Sequence, residues 1–150
     1  MKVVIQRVRR AHVTVDGEVV GQIGPGSMVL VGVARGDTDE DVAYLSRKVI
    51  QLRIFDDDEG LLNRSIADVG GAFLVVSQFT LYGDCRKGAR PSYVEAAPPE
   101  EGKARYEQFV AQLREAGHAV ETGRFQETMV VDMENDGPVT LVLESRRRSA

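Results

Sequence analysis

The run Ala72-Phe73-Leu74-Val75-Val76 constrains the fold of this chain more than any other segment. Five consecutive apolar residues without alternation are typical of a β-strand that is buried on both faces. A sheet containing such a strand needs packed layers on both sides, so helices or further strands must cover it. The run ends at Ser77-Gln78, which predicts polar groups at the end of a buried strand.

Short β-type runs lie on both sides of this strand in the sequence. In the first 33 residues, alternating apolar runs are separated by turn residues, and Asp16-Gly17 between two of them is a hairpin signal. Similar runs occur near the C-terminus. The predicted strands besides the central one are Val3–Val8, His12–Val15, Val19–Ile23, Met28–Val33, Ala119–Thr122, Thr128–Met133 and Val139–Leu143.

Two segments have helical periodicity. The first follows Thr38, which forms a capping box with Asp41, and its apolar face comprises Val42, Leu45, Val49 and Leu52. The second begins at Pro98-Pro99 and ends near Gly117. We therefore predict a single α/β domain over residues 1–150, in which mixed β-sheets curl into a partly closed, barrel-like core with both helices packed on one side.

Composition narrows the class of protein. The chain has 150 residues, of which 43% are hydrophobic and 28% are charged, and these proportions are typical of one globular domain. Cys85 is the only cysteine, so no disulfide can form within the chain, and no Cys or His run has zinc-ligand spacing. Neither an export signal nor an apolar segment of the ~20 residues that span a bilayer is visible, so we expect a cytoplasmic protein.

The charge distribution limits how the chain can bind nucleic acid. Its net charge of −4 argues against coating of nucleic acid regardless of sequence, because that mode needs many Lys and Arg contacts to phosphates. Local basic patches are still possible, although each also fits an ordinary solvated surface. The basic clusters are Arg86, Lys87 and Arg90; Arg7, Arg9 and Arg10; and Arg146, Arg147 and Arg148.

The sequence offers no conventional catalytic triad. His12 and His118 fall in separate predicted elements away from any nucleophile, and a G-x-S-x-G elbow is absent. Cys85 has no identifiable His partner, which favours a tolerated loop cysteine. The acidic run Asp56-Asp57-Asp58-Glu59-Gly60 lacks the alternating ligands and distal Glu of a calcium loop, which favours a solvated turn.

Two polar motifs are candidates for a functional site. Ser77-Gln78-Phe79-Thr80-Leu81-Tyr82 follows the buried strand, and Asn135-Asp136-Gly137-Pro138-Val139-Thr140 lies near the C-terminus. Gly before Pro can adopt backbone angles closed to other residues, and a Gly-Pro bond can be cis. From the residues alone, the first motif also fits a strand that leaves the core, and the second also fits an ordinary turn.

Together these motifs resemble the D-aminoacyl-tRNA deacylase family, which has an S-Q-F-T-L block in its first half and an N-x-G-P-V-T block near its end. The resemblance continues through the opening Met-Lys-x-Val-Ile-Gln-Arg-Val, through Leu62-Asn63, and through Gly83-Asp84-Cys85-Arg86-Lys87-Gly88 to Pro91-Ser92-Tyr93. It covers essentially the whole chain. Two motifs at matching separation are far more specific than either hexapeptide.

The resemblance implies a homodimeric hydrolase that cuts the ester between a D-amino acid and the 3′ end of tRNA, without a metal or cofactor. In the family, Gly137 and Pro138 of one subunit would face Ser77, Gln78, Phe79 and Thr80 of the other. A cis Gly-Pro peptide there directs two carbonyl oxygens at the substrate, which leaves no room for an L side chain. Such a filter also admits glycyl-tRNA. Arg7 and Met129 match positions that lie near this loop and brace it.

The implied chemistry leaves two catalytic alternatives. Backbone N–H groups among residues 77–80 would stabilise the oxyanion, and Phe79 could stack on the terminal adenine. Thr80 is a possible nucleophile, but no base is evident, so we favour water attack assisted by the ribose 2′-hydroxyl. Contact with tRNA would be confined to its acceptor end, through Arg86, Lys87 and Arg90.

Two other classes of function are open. One is a non-catalytic module that binds RNA ends or nucleotides through the same curled sheet. The other is a general hydrolase of small esters or D-peptides, which the missing triad and missing metal ligands make weaker.

Overall fold

The computed structural model of the chain describes residues 1–146; Arg147 and Arg148 of the C-terminal basic cluster lie outside the described residues. The helices are α1 (Asp39–Gln51) and α2 (Pro99–Glu115), and a 3-10 turn spans Phe79–Tyr82. The strands are β1 (Lys2–Val15), β2 (Glu18–Ile23), β3 (Gly26–Gly32), β4 (Phe55–Asp56), β5 (Leu62–Arg64), β6 (Ala72–Ser77), β7 (Val120–Thr122) and β8 (Val130–Glu144).

The main sheet is mixed and curls back on itself. Its order is β2-β1-β3-β6-β7, with β8 paired to the other edge of β1, and the β3–β6 and β6–β7 pairs are parallel. Residues 2–8 of β1 pair with β3, whereas residues 11–15 pair with β2. The ends of the curled sheet meet where β2 approaches β7, and a Cβ at Gly21 would overlap the carbonyl oxygen of Thr122. The predicted partly closed, barrel-like core is confirmed.

The central strand β6 is buried on both faces, as its unbroken apolar sequence predicts. Phe73 and Val75 belong to a large cluster on the side of the sheet that the two helices cover. Leu74 and Val76 point the other way, into a second cluster inside the curled sheet. The alternation of strand side chains therefore divides one apolar run between two cores.

Helix α1 begins and packs as its sequence predicts. The capping box between Thr38 and Asp41 is formed, and three acidic residues in the first turn complement the helix dipole. Val42, Leu45 and Val49 are buried against α2 and the sheet. Helix α2 starts with Pro99 at its first position and is followed by Gly117, which has a φ of +94°. None of the helices in the described part of the chain is long and apolar enough to cross a membrane.

The C-terminal strands differ from the prediction of two strands at 128–133 and 139–143. The structure has one long strand, β8, which follows β1 along almost its full length. Between the Gln6–Thr140 and Val8–Asn135 pairs, β1 has one residue where β8 has the four residues 136–139. Pro138 has no N–H to donate to a ladder, so this segment bulges out while β1 keeps the strand in register on both sides.

Candidate active site

The end of β6 opens into a cavity of about 680 Å³. Its walls are formed by residues of the segments 76–79, 93–99 and 125–131, together with Val33, Arg35 and Gly102. Ser77, Gln78, Phe79 and Met129 are therefore brought to one cavity, as is the segment that follows β7. A cavity of this size lies within the roughly 300–1,000 Å³ that small-molecule sites occupy.

The turn after β6 is held close to β3. The Gln78 N–H donates to the Val31 carbonyl oxygen at 2.7 Å, and this bond ends the parallel β3–β6 ladder. A Cβ at Gly32 would lie 3.0 Å from Leu81 Cβ and 3.2 Å from the Gln78 carbonyl oxygen, so any other residue would push the 3-10 turn away by a few tenths of an ångström. On the same turn, Lys2 Nζ donates to the Leu81 carbonyl oxygen at 3.3 Å.

Two consecutive backbone amides in this turn are free to bind a ligand. The N–H groups of Leu81 and Gly83 donate to the carbonyl oxygens of Gln78 and Thr80, and the Gln78 N–H is engaged with β3. Within residues 1–146, the N–H groups of Phe79 and Thr80 have no acceptor. Of the residues 77–80 whose amides were candidate oxyanion donors, Gln78 is thus occupied, whereas Phe79 and Thr80 offer adjacent donors.

Thr80 has a partner that cannot activate it. Its Oγ1 accepts a hydrogen bond from Gln78 Nε2, and an amide nitrogen cannot take up a proton as a general base. The Thr80 side chain is exposed and does not line the cavity, although its backbone belongs to the turn that does. Since only Arg35, Tyr93 and Glu127 are titratable among the lining residues, a paired nucleophile and base is absent from the described cavity wall.

Phe79 presents an aromatic face at the cavity. Its side chain is 57% exposed although it is large and apolar. The ring of Tyr93 packs edge-on against it, with centroids 5.2 Å apart and an interplanar angle of 69°. A T-shaped contact of this kind restrains the orientation of the exposed Phe79 ring.

The part of the cavity wall that carries Phe125 is braced by Tyr106 of α2, whose role the sequence pattern did not reveal. The Tyr106 ring stacks on Phe125 at 6.2 Å, and its hydroxyl donates to the Val75 carbonyl oxygen at 2.7 Å. Burial raises the pKa of Tyr106 to about 12, so the hydroxyl keeps its proton at neutral pH. Tyr106 therefore links β6, just before Ser77, to the segment that carries Phe125 and Met129.

Arg7 holds the bulge that contains Gly137 and Pro138. The side chain is 7% exposed, and its Nε donates to the Asp136 carbonyl oxygen at 3.1 Å and lies 3.2 Å from Asp136 Oδ2. Its NH1 group donates to the Ile54 carbonyl oxygen at 2.8 Å. The Gly137–Pro138 peptide bond, whose isomer the sequence leaves open, is cis.

Within one chain, the bulge and the cavity are separate. Gly137 and Pro138 are exposed and do not line the cavity, whereas Met129, just before β8, does. Asn135 Nδ2 ties the bulge to the sheet by donating to the carbonyl oxygens of Arg7 at 2.9 Å and Val139 at 3.2 Å. The structure thus places Arg7 with the Gly-Pro segment, and Met129 with Ser77–Phe79.

The other candidate residues lie away from the cavity wall. His12 is on β1, the His118 ring packs edge-on against Phe73 at 5.4 Å, and Cys85 is exposed in the loop after the 3-10 turn. In the same loop, Arg86 donates two side-chain bonds to Asp84, which lower the pKa of that carboxyl to about 2. One of the three positive charges of the cluster Arg86, Lys87 and Arg90 is thus engaged in a local ion pair before any ligand binds.

Comparison with solved structures shows that the fold is a known one. The fold matches a structure described as a probable eukaryotic D-amino acid tRNA deacylase, with a TM-score of 0.81, 21% identity, and coverage of 95% of this chain and 98% of that one. It also matches a structure named c-Myc DNA Unwinding Element Binding Protein, with a TM-score of 0.93 and 41% identity over 98% of this chain and all of that one. The chain therefore shares its fold with both of these structures.

Sequence comparison gives the family. The profile of the D-Tyr-tRNA(Tyr) deacylase family matches residues 4–144. Proteins named D-aminoacyl-tRNA deacylase from Heliobacterium modesticaldum and Thermus aquaticus are 58% and 55% identical to the chain, and each match covers at least 97% of both sequences. The chain belongs to the D-Tyr-tRNA(Tyr) deacylase family, so the resemblance drawn from its two motifs is confirmed.

Proposed function

We propose that this protein is a D-aminoacyl-tRNA deacylase that hydrolyses the ester between a D-amino acid and the 3′ end of tRNA. The observation that carries the proposal is the pair of unengaged amides at Phe79 and Thr80, beside a cavity of about 680 Å³. Adjacent N–H donors suit the oxyanion that forms when water attacks an ester. Its relatives of similar length bear the name of this activity.

The cavity favours water attack assisted by the substrate. Thr80 accepts a bond from an amide and has no base beside it, so it is poorly suited to act as a nucleophile. The ribose 2′-hydroxyl next to the scissile ester can orient the water or relay its proton. Each oxyanion donor contributes about 3 kcal/mol to transition-state stabilisation at such sites. No step requires a metal or cofactor.

Two changes, one in the protein and one in the substrate, separate the catalytic alternatives. Thr80→Ala should keep substantial activity on D-tyrosyl-tRNA, because the variant retains the backbone N–H. A substrate with a terminal 2′-deoxyadenosine should lose most of its turnover by the wild-type enzyme. The opposite pair of results in single-turnover assays would identify Thr80 as the nucleophile.

The active unit is a homodimer in which Gly137 and Pro138 of one subunit enter the cavity of the other. The exposed bulge that carries them and their absence from the cavity of their own chain support this arrangement. Carbonyl oxygens presented by this segment beside the substrate α-carbon would exclude L side chains by steric overlap. Glycine has no side chain to exclude, so glycyl-tRNA is a second expected substrate.

Binding of tRNA is confined to the acceptor end. Arg86 is paired with Asp84, so Lys87 and Arg90 are the cations of this cluster that lack an ion pair among the described residues. A net charge of −4 fits a small contact, and the log–log salt slope should correspond to only a few phosphates. We place this activity in the cytoplasm, with residues 1–150 acting as one deacylase domain.

The decisive experiment measures release of tyrosine from D-tyrosyl-tRNA and L-tyrosyl-tRNA in the presence of a metal chelator, with wild type and Gly137→Ala. Among residues 1–146 other than its chain neighbours, a Cβ at Gly137 would come within 4 Å only of Asn135 Oδ1, at 3.7 Å, so the subunit has room for the substitution. Rapid hydrolysis of the D substrate alone, impaired in Gly137→Ala, is expected. If folded wild-type protein turns over neither substrate, a non-catalytic module for RNA ends is favoured instead. If it turns over free tyrosyl esters as fast as D-tyrosyl-tRNA, a general esterase is favoured.

A further inference from the structure

The charges around the cavity are few and unevenly placed. Among the residues that line it, Arg35 carries the only positive charge and Glu127 the only negative charge. Arg35 follows β3, whereas Glu127 belongs to the segment between β7 and β8. A polyanion that enters this cavity therefore meets attraction on the Arg35 side and repulsion on the Glu127 side.

The loop that carries Arg35 is fixed by buried polar contacts. The Asp37 side chain is fully buried, accepts a hydrogen bond from the Ala34 N–H at 2.7 Å and pairs with the Met1 amino group at 2.9 Å. The Arg35 N–H donates to the Glu95 carbonyl oxygen at 3.0 Å, which fastens the loop to the segment 93–97. The backbone of Arg35 therefore has a defined position at the cavity.

The guanidinium of Arg35 is oriented but not neutralised. Its Nε donates to the Val94 carbonyl oxygen at 2.8 Å, which restrains the long side chain. Within residues 1–146, its NH1 and NH2 groups have no hydrogen-bond or ion-pair partner. The nearby Arg146 differs, because it is paired with Asp37 and Asp41. Arg35 thus presents two free donors in the fork geometry that matches the oxygens of a phosphate.

The chemistry of the substrate supplies the matching group. The terminal nucleotide carries the aminoacyl ester on its ribose, and a phosphodiester on its 5′ side joins it to the rest of the chain. A cavity of about 680 Å³ suits one aminoacylated nucleoside but not a nucleic-acid stem. When the ester lies at the amides of Phe79 and Thr80, this phosphodiester is the first negative group of the substrate beyond the bound nucleoside.

We propose that Arg35 forms the binding site for the phosphodiester on the 5′ side of the terminal adenosine of the substrate. This inference rests on the proposed function and adds a contact that fixes how far the 3′ end enters. A single arginine outside any basic cluster gives no sequence signal, and only the folded cavity distinguishes it from a solvated side chain. Arg35 acts by positioning and has no role in the chemical step.

The test compares D-tyrosyl-tRNA with the same substrate carrying a neutral methylphosphonate at that one linkage. Wild type should lose about tenfold in kcat/KM on the neutral linkage, through KM. Arg35→Gln should have about tenfold lower kcat/KM than wild type on the natural substrate and no further loss on the neutral one. The kcat/KM of Arg35→Lys on the natural substrate should lie between those of wild type and Arg35→Gln. Arg47→Gln, which removes the same charge from an exposed position on α1, is the matched control and should behave as wild type.

The outcomes of this comparison are distinct. The phosphodiester site is wrong if Arg35→Gln leaves kcat/KM unchanged. It is also wrong if Arg35→Gln and the neutral linkage each lower kcat/KM and their effects multiply when they are combined. In both cases the deacylase activity of the wild type stands. If wild type does not hydrolyse the natural substrate, the proposed function itself fails. If Arg35→Gln unfolds in urea with the same midpoint as wild type, its loss of kcat/KM is not caused by misfolding.

Discussion

Replacing Arg7 by lysine removes the guanidinium group that connects the Gly-Pro bulge to the rest of the protein. The guanidinium donates from Nε to the Asp136 carbonyl oxygen and from NH1 to the Ile54 carbonyl oxygen, at 3.1 and 2.8 Å. The two acceptors lie on different segments of the chain. One ammonium group on a flexible stem cannot serve both with the same geometry, so at least one buried carbonyl group loses its partner.

The expected cost follows from the burial of this site. A hydrogen bond to a charged group contributes about 1.5–3 kcal/mol, and an unsatisfied buried acceptor costs about 1–3 kcal/mol. Lysine keeps the positive charge near the Asp136 carboxylate, which is 3.2 Å from Arg7 Nε, so the ionic part is largely retained. We therefore expect Arg7→Lys to lower the free energy of unfolding by about 2–4 kcal/mol.

Arg9→Lys is the matched control. Arg9 lies two residues further along the same strand and approaches the same aspartate, but its side chain is 72% exposed and its Nε is 3.9 Å from Asp136 Oδ1. An exposed pair of this kind contributes little, so this substitution should change stability by less than about 0.5 kcal/mol. Urea unfolding at one fixed protein concentration, with the m-value compared for each variant, measures both changes.

The difference between the two variants decides the outcome. Equal midpoints for Arg7→Lys and Arg9→Lys would refute the reasoning, because the buried bonds would then contribute no more than the exposed pair. If the bulge also carries the chiral filter, Arg7→Lys should lower turnover of D-tyrosyl-tRNA at temperatures where the variant is fully folded. Arg9→Lys should leave that turnover unchanged.

Three further changes test the framework of the site. Tyr106→Phe removes the hydroxyl that donates to the Val75 carbonyl oxygen of β6, so it should lower the free energy of unfolding in urea by about 1–3 kcal/mol. Full stability of this variant would contradict that role. Gly26→Ala places a Cβ against the Ala72 backbone, so the variant should fail to accumulate as folded protein, as judged by circular dichroism and gel filtration. By NMR, the Asp84 carboxyl should titrate near pH 2, and its pKa should shift towards 3.8 in Arg86→Ala. Because this pKa is lowered in the folded chain, the ion pair supports the loop above about pH 4 and is lost as the pH falls towards 2.

Several elements could be predicted because their signals are local. The capping box at Thr38 and Asp41 begins α1 where expected, and Gly117 follows the end of α2. The unbroken apolar run of β6 correctly indicated a strand with two buried faces. The prediction of two strands after residue 128 was wrong, because the Gly-Pro segment interrupts the local pattern while β8 still pairs with β1 on both sides of it.

The sequence by itself determined both helices, the central buried strand, the α/β class and the two motifs that identify the family, since each is encoded in periodicity, capping residues or short contiguous blocks. Tertiary structure alone decided which groups are available at the site. The free amides of Phe79 and Thr80 follow from how the turn packs on β3, and Arg7 reaches a carbonyl group 129 residues away. Contacts over such separations depend on strand register and on the closing of the sheet, which no local pattern records.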